Sequence, residues 1–201
     1  MDFDEVLRRR RMVRAYQDRA VDEKVLDEVL RAGLRAPSAG FSQGWDFLVL
    51  TRAADRDLFW STCSDPAATP DTWLRGMRTA PALVICLSDR DAYLDRYAEP
   101  DKGWTERDET DWPVPYWHTD TAMAAMLMLL AAVDRGLGAC FFGVPATRHQ
   151  AVLDAFGVPA NRTPVGVVSF GHPAADLRSP SLRRGHRPVE SVLHRGRFGA
   201  C

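Results

Sequence analysis

The alternation of apolar and polar positions divides the chain into a readable series of elements. Between residues 22 and 36, Val25, Val29, Leu30, Gly33 and Leu34 recur at helical spacing. Asp22 stands before them as an N-cap and Pro37 follows as a stop, so the stretch predicts an amphipathic helix. Residues 38–44 are rich in Ser and Gly and predict a turn, and Trp45–Leu50 predicts a strand. Residues 53–61 and 68–77 predict short helices. Ala82–Leu87 is apolar at every position, the pattern of a strand covered on both faces. The strongest helix signal covers residues 119–135. From Ala122 to Val133 every position is apolar, which predicts a helix buried all round, and Gly136 and Gly138 end it. Ala139–Gly143 then predicts a strand, 147–156 a helix and Val165–Phe170 a last strand. Two stretches show no period. Residues 89–118 are polar, acidic and aromatic, broken by Pro100, Pro113 and Pro115, and the tail from Pro173 to Cys201 is Arg-rich. Helices and strands mix without strict βαβ alternation, which predicts one domain over residues 1–201 in the α+β class.

Composition narrows the function. A net charge of -1 lacks the basic excess of a nucleic-acid binder. The apolar run within 119–135 is shorter than the roughly 20 residues a bilayer needs, so no membrane span is expected. Asp2, Asp4 and Glu5 with the basic cluster after them leave no room for an apolar leader, so no secretory signal is expected. The four cysteines, Cys63, Cys86, Cys140 and Cys201, show no metal-ligand spacing. Cys86 and Cys140 lie in apolar runs and are expected to be small buried hydrophobes, while Cys201 ends the chain. A reducing, cytoplasmic setting is expected, with no metal site.

Three segments carry candidate chemistry. Arg8-Arg9-Arg10-Arg11-Met12-Val13-Arg14 offers guanidinium forks that match phosphate oxygens; a helical turn there would set Arg10 and Arg14 on one face. A solvated basic helix face, balanced by the acidic residues before it, is the other reading. Ala36-Pro37-Ser38-Ala39-Gly40-Phe41-Ser42-Gln43-Gly44-Trp45 has the small residues that let a planar ligand approach the backbone, or it is only a helix-to-strand connection. It matches neither a P-loop nor G-x-G-x-x-G. Leu182-Arg183-Arg184-Gly185-His186-Arg187-Pro188-Val189 is either a second phosphate clamp or a solvated tail. His172 and His186 have no nucleophile elbow beside them, so a hydrolase triad finds no support.

Taken in order, these segments resemble the nitroreductase family. Arg10-Arg11-Met12-Val13-Arg14 stands where the family has R-R-S-x-R, and Ala36 to Trp45 where it has A-P-S-x-x-N-x-Q-P-W. The buried helix running into Gly136-Leu137-Gly138, the turn Phe156-Gly157-Val158-Pro159, the strand ending in Gly171-His172-Pro173 and the tail at Arg187-Pro188-Val189 continue the likeness over nearly the whole chain. The resemblance implies a mixed sheet flanked by helices, and a homodimer with a long central interface helix. It implies FMN held in a cleft made by both chains, reduced by NAD(P)H and reoxidised by a small planar acceptor in a ping-pong cycle. Flavin contacts are thereby expected from Arg10, Arg11, Met12 and Arg14; from Pro37, Ser38, Ala39, Gly40, Phe41 and Gln43; from Gly143; and from Arg184 and Arg187. No side-chain acid or base is required, because the flavin carries the chemistry.

Two departures bear on activity. Met12 replaces the family Ser and removes a hydroxyl, and Phe41 replaces the family Asn, with Gly44 in place of Pro. They keep two further readings open: a non-catalytic or accessory flavin-fold protein, and a flavin-remodelling or dehalogenating enzyme on the same fold. Residues 97–118 are expected to form a lid over the flavin. They hold Trp104, Trp112 and Trp117 with Tyr97 and Tyr116, and Glu99, Asp101, Glu106, Asp108, Glu109 and Asp111 against Lys102 and Arg107. The aromatics suit a stacked planar acceptor and the acidic rim disfavours anions. The plainer alternative is a surface excursion that packs its tryptophans on the partner chain.

Overall fold

In the computed structural model, which describes residues 1–64, 69–104, 106–175 and 179–199, the apolar run at 82–89 becomes an inner strand of a four-stranded sheet. The strands are β1 (Trp45–Leu50), β2 (Ala82–Asp89), β3 (Gly138–Phe142) and β4 (Arg162–Gly171), in the order β1-β2-β4-β3. Every pairing between them is antiparallel; the parallel component is one isolated bridge between Met12 and Ala139. Side chains alternate across a strand. Leu83, Ile85 and Leu87 therefore enter one core with Phe59, Trp60, Met77 and Val152, while Ala82, Val84 and Cys86 enter another with Leu26, Val29, Met128 and Leu129. The helices of the first core are α3 (Ala53–Cys63), α4 (Thr72–Met77) and α7 (His149–Ala155). Those of the second are α2 (Glu23–Gly33) and α6 (Tyr116–Asp134). The protein is thus α+β, with helices on both faces of its sheet.

Several boundaries moved for physical reasons. Asp22 caps α2 as expected, accepting from the amides of Lys24 and Val25, but the helix ends at Gly33, before Pro37. Residue 68, where the fourth helix was expected to begin, lies outside the described residues, as does Cys201. β4 begins at Arg162, earlier than expected, because Pro164 is tolerated where it stands. It pairs beside a register shift at Cys86/Leu87 and beyond the reach of β3, whose partners begin at Val167. The 89–118 stretch hides a helix, α5 (Arg90–Tyr97), capped by Asp89. Its sequence is charged and buries only Tyr93 and Leu94, so no apolar stripe announced it. The N-terminus carries α1 (Phe3–Arg9), capped by Asp2.

Within one chain α6 is covered on one face only. It is buried on one side, through Trp117, Asp120, Thr121, Ala124, Ala125, Met128, Leu129 and Ala132. On the other, Met123 and Met126 are 41% and 40% exposed. One chain of this size has enough elements to cover only one face of the helix. No helix among the described residues is long and apolar enough to cross a membrane.

Candidate functional site

The arginine cluster is not helical beyond Arg9; Arg10 is the C-cap of α1 and the chain then runs extended along the open edge of β3. The Val13 amide donates to the Ala139 carbonyl at 2.9 Å, and the Phe141 amide donates to the Met12 sulfur at 3.4 Å. Tyr16 pins the end of this segment, its hydroxyl 2.8 Å from the Val13 carbonyl and 2.7 Å from Ser169 Oγ. Arg10, Arg11 and Arg14 therefore do not sit on a helical turn, yet all three line one cleft. Met12 is accordingly more than a lost hydroxyl: its sulfur occupies an edge amide.

A cleft of about 670 Å³ opens over this segment. Arg8, Arg9, Arg10, Arg11, Met12 and Arg14 line one wall; Ser179, Ser181, Leu182 and His186 of the tail line the other. Among the described residues no carboxylate lines it, although Glu5 pairs with Arg9 at 2.9 Å from outside. A second cleft of about 890 Å³ shares Arg14 and Ser179 and adds Thr72, Trp73 and Arg75 of α4 with Arg183. α4 reaches this place because Gly76 lies against the chain at Arg14: a Cβ there would fall 2.2 Å from the Arg14 carbonyl oxygen. Guanidinium and hydroxyl donors without competing carboxylates are the donor set a phosphate ester requires. Both volumes fall in the range of cofactor pockets.

The Ser38–Gln43 segment lies elsewhere. Its residues lead into β1 at Trp45, which pairs with Ser88, whereas Met12 pairs with Ala139, Ala139 with Phe170, and Phe170 with Ala82. The two segments therefore occupy diagonal corners, about 19 Å apart across four strand spacings and about 20 Å along the strands. The loop is built with strain. A 3-10 turn spans Ala39–Phe41, and Gly40, Phe41 and Gln43 have φ of 62°, 58° and 51°. For the two non-glycine residues this costs about 1–3 kcal/mol each. Four bonds hold it. The Gln43 amide donates to Ser38 Oγ (3.0 Å) and Ser42 Oγ to the Ala39 carbonyl (2.7 Å). Arg96 Nε donates to the Gly40 carbonyl (3.0 Å), and the Ala39 amide to the Asp120 carboxylate (2.8 Å). Gly44 follows because a Cβ would fall 2.5 Å from the Asp89 carbonyl oxygen. The ring of Phe41 is left 73% exposed.

The remaining candidates separate. Arg184 and Arg187 line neither cleft described above; Arg187 lies on the exposed tail and donates to the Ser191 carbonyl at 2.8 Å. Gly143 lines a small aromatic cleft of about 180 Å³ with Phe59, Trp60, Trp73 and Phe142. Cys63 borders the same cleft, its thiol pushed up to about 12 by burial, which disfavours the thiolate. Trp112 and Trp117 are 9% and 8% exposed and pack with Tyr93, Tyr97 and Trp104 in a satellite core of the same chain. Ring centroids lie 4.5 Å apart for Tyr97–Trp112 and 5.2 Å for Trp104–Trp112. Trp112 and Trp117 thus have rings of the same chain against them, while Trp104 stays half-exposed beside Gly103, Glu106 and Asp111. The acidic rim is also partly neutralised, since Arg96 pairs with Glu99 and Asp101, and Arg90 with Glu109.

Residues 7–172 match the model of the nitroreductase family. The chain belongs to the nitroreductase family. Among relatives of this nitroreductase-family chain, a protein from Methanothermobacter thermautotrophicus named "Putative NADH dehydrogenase/NAD(P)H nitroreductase" is 30% identical over 146 residues, 72% of this chain and 62% of its own length. A protein of the same name from Archaeoglobus fulgidus is 30% identical over 135 residues, 67% of this chain and 63% of its own. The chain thus spans less than two-thirds of these curated relatives. A "putative nitroreductase in complex with FMN" from Desulfovibrio desulfuricans superposes with a TM-score of 0.65 at 25% identity, covering 94% of this chain and 98% of that one. Sequence reasoning missed the tail serines, the α4 residues and Asp120. Arg14 and α4 meet only through the fold, while Asp120 was visible as a carboxylate at the start of an apolar helix.

Proposed function

We propose that this nitroreductase-family protein is an FMN-dependent oxidoreductase that works as a homodimer, taking reducing equivalents from NAD(P)H and passing them to a small planar acceptor such as a nitroaromatic or quinone. One observation carries the proposal: a cleft whose described lining has five arginines, two serines and a histidine and no carboxylate, in a chain of this family. Arg10, Arg11 and Arg14, with Ser179 and Ser181, would hold the phosphate and ribityl chain. The neighbouring cleft, with Thr72, Trp73 and Arg75, has room for the ring system. When bound, FMN would supply the hydride chemistry of a ping-pong cycle. The chain's own residues bind, orient and exclude water.

Two observations support the dimer. The arginine cleft and the Ser38–Gln43 loop sit at opposite corners of one sheet, so a site that uses both needs two chains. The exposed stripe of Ala122, Met123 and Met126 on α6 supplies an apolar face for that pairing. Cys63 and Cys86 are free thiols, which favours a reducing, cytoplasmic setting.

The test is the visible spectrum of purified protein reconstituted with FMN, followed anaerobically on adding NADH or NADPH and then an aromatic acceptor. Bleaching by the nucleotide and recovery with the acceptor are expected. Met12 favours one competing reading, an accessory protein without catalysis, because a thioether bonded to Phe141 stands where the family has a hydroxyl. Protein that binds FMN but is not bleached by either nucleotide would establish that reading instead.

A further inference from the structure

One buried group has no task in the fold's apolar packing. Asp120 is 2% exposed, in the first turns of a helix that is otherwise apolar through its centre. Burying a carboxylate is costly unless its bonds repay it. Its partners are neutral donors: the Ala39 amide and the Tyr93 hydroxyl both donate to Oδ2, each at 2.8 Å, and Thr119 Oγ1 lies 3.2 Å from Oδ1. The first of these reaches across 81 positions of sequence into the strained loop. Tyr93 is itself fully buried in the aromatic satellite core, so the carboxylate is braced from α5 as well as from its own helix. Arg96, one turn further along α5, holds the adjacent Gly40 carbonyl.

We propose that Asp120 is a positioning residue, which holds Ala39–Gln43 in the left-handed form that presents the loop to the flavin. The inference rests on the flavin reading of the Ser38–Gln43 segment. Left-handed φ at Phe41 and Gln43 persists only where surrounding bonds over-determine it. Without the carboxylate, the Ala39 amide loses its acceptor and the turn is released from the core. Phe41, exposed at its crest, is then no longer fixed.

Substitutions separate shape from bonding. In Asp120→Asn, an amide oxygen at the Oδ2 position can accept both bonds, so only the charge is lost. In Asp120→Ala, both bonds are lost. Ala39→Pro deletes the donor from the loop side and leaves Asp120 and Tyr93 themselves unchanged; Ser38 is already extended, and the first position of a helical turn suits proline. Each full-chain protein is titrated with FMN by fluorescence, and the bound flavin's visible circular dichroism is recorded alongside the melting temperature of the apo form. Asp120→Ala and Ala39→Pro are expected to weaken FMN binding roughly 10- to 100-fold and to change the visible dichroism, with Asp120→Asn close to wild type in both. Ala39→Pro decides the matter if Asp120→Ala does not fold. Wild-type affinity and dichroism in the folded Ala variants overturn the inference while leaving the flavin reading intact, as does an Asn variant as impaired as Ala. Wild-type protein that takes up no FMN overturns the flavin reading, and this inference with it.

Discussion

Replacing Gly76 by alanine sets two opposite effects against each other. In a helix interior, Ala is favoured over Gly by about 0.8–1 kcal/mol, so propensity alone predicts a more stable protein. The structure predicts the reverse. The new Cβ would stand 2.2 Å from the Arg14 carbonyl oxygen and 3.3 Å from the carbon of the same group. An ordinary carbon–oxygen contact is about 3.3–3.6 Å, so the overlap is about 1 Å. The obstacle is backbone, fixed on one side by the Val13–Ala139 bond and on the other by the Tyr16 amide, which donates to Thr79 Oγ1 at 2.9 Å. It cannot retract as a flexible side chain would. Overpacking of this kind costs about 1–3 kcal/mol and exceeds the propensity gain in most of its range. The net expectation is a loss of up to about 2 kcal/mol, a fall of up to about 8 °C in melting temperature for a chain of this length. Because the displaced group is Arg14, FMN affinity should fall further than stability does. Differential scanning calorimetry of the apo protein and a flavin titration read the two effects. A melting temperature that rises, with unchanged FMN affinity, would show that α4 does not press on the arginine segment and would refute the packing argument.

Met126→Glu puts a carboxylate on the exposed apolar stripe of α6. It should raise the dimer dissociation constant roughly 100-fold or more through desolvation, with FMN affinity becoming dependent on protein concentration; sedimentation showing an unshifted dimer would remove this helix face from the interface. Arg14→Ala should weaken FMN binding roughly 10- to 100-fold and more than Arg187→Ala does, because Arg14 lines both clefts and Arg187 neither. A larger loss at Arg187 would mean that the tail closes over the cleft in the dimer. His118 accepts or donates a 2.8 Å bond with Ser88 Oγ, and burial holds its pKa below the usual 6.5. The unfolded chain therefore binds that proton first, so stability is full above about pH 6.5 and declines as the pH falls from there through the lowered value. Urea unfolding at pH 7.5 and 5.5 should show this slope in wild type and lose it in His118→Asn; an identical slope in both would assign it to other groups.

Local chemistry was legible in the sequence wherever it repeats along the chain. The unbroken apolar run at 82–87 could only be a strand covered on both sides, and Asp22 could only open a helix, because period and capping depend on near neighbours. The arginine cluster and the Ser/Gly loop also announced their donor chemistry through residue type alone. What connects them was not legible. Arg8–Arg14 reads as helix by charge spacing, yet past Arg9 it runs as extended chain, because the free edge of β3 offers backbone partners that no local pattern encodes. α5 escaped notice because its cohesion comes from Tyr93 and Leu94 packing against distant tryptophans, not from an apolar stripe. The tryptophans themselves are aromatic surface in sequence and satellite core in three dimensions, since only the fold supplies rings to cover them. Gly76 beside Arg14, and Asp120 beneath Ala39, join residues far apart in the chain. Such contacts are set by how helices seat on a twisted sheet, and that geometry exists only once the chain has folded.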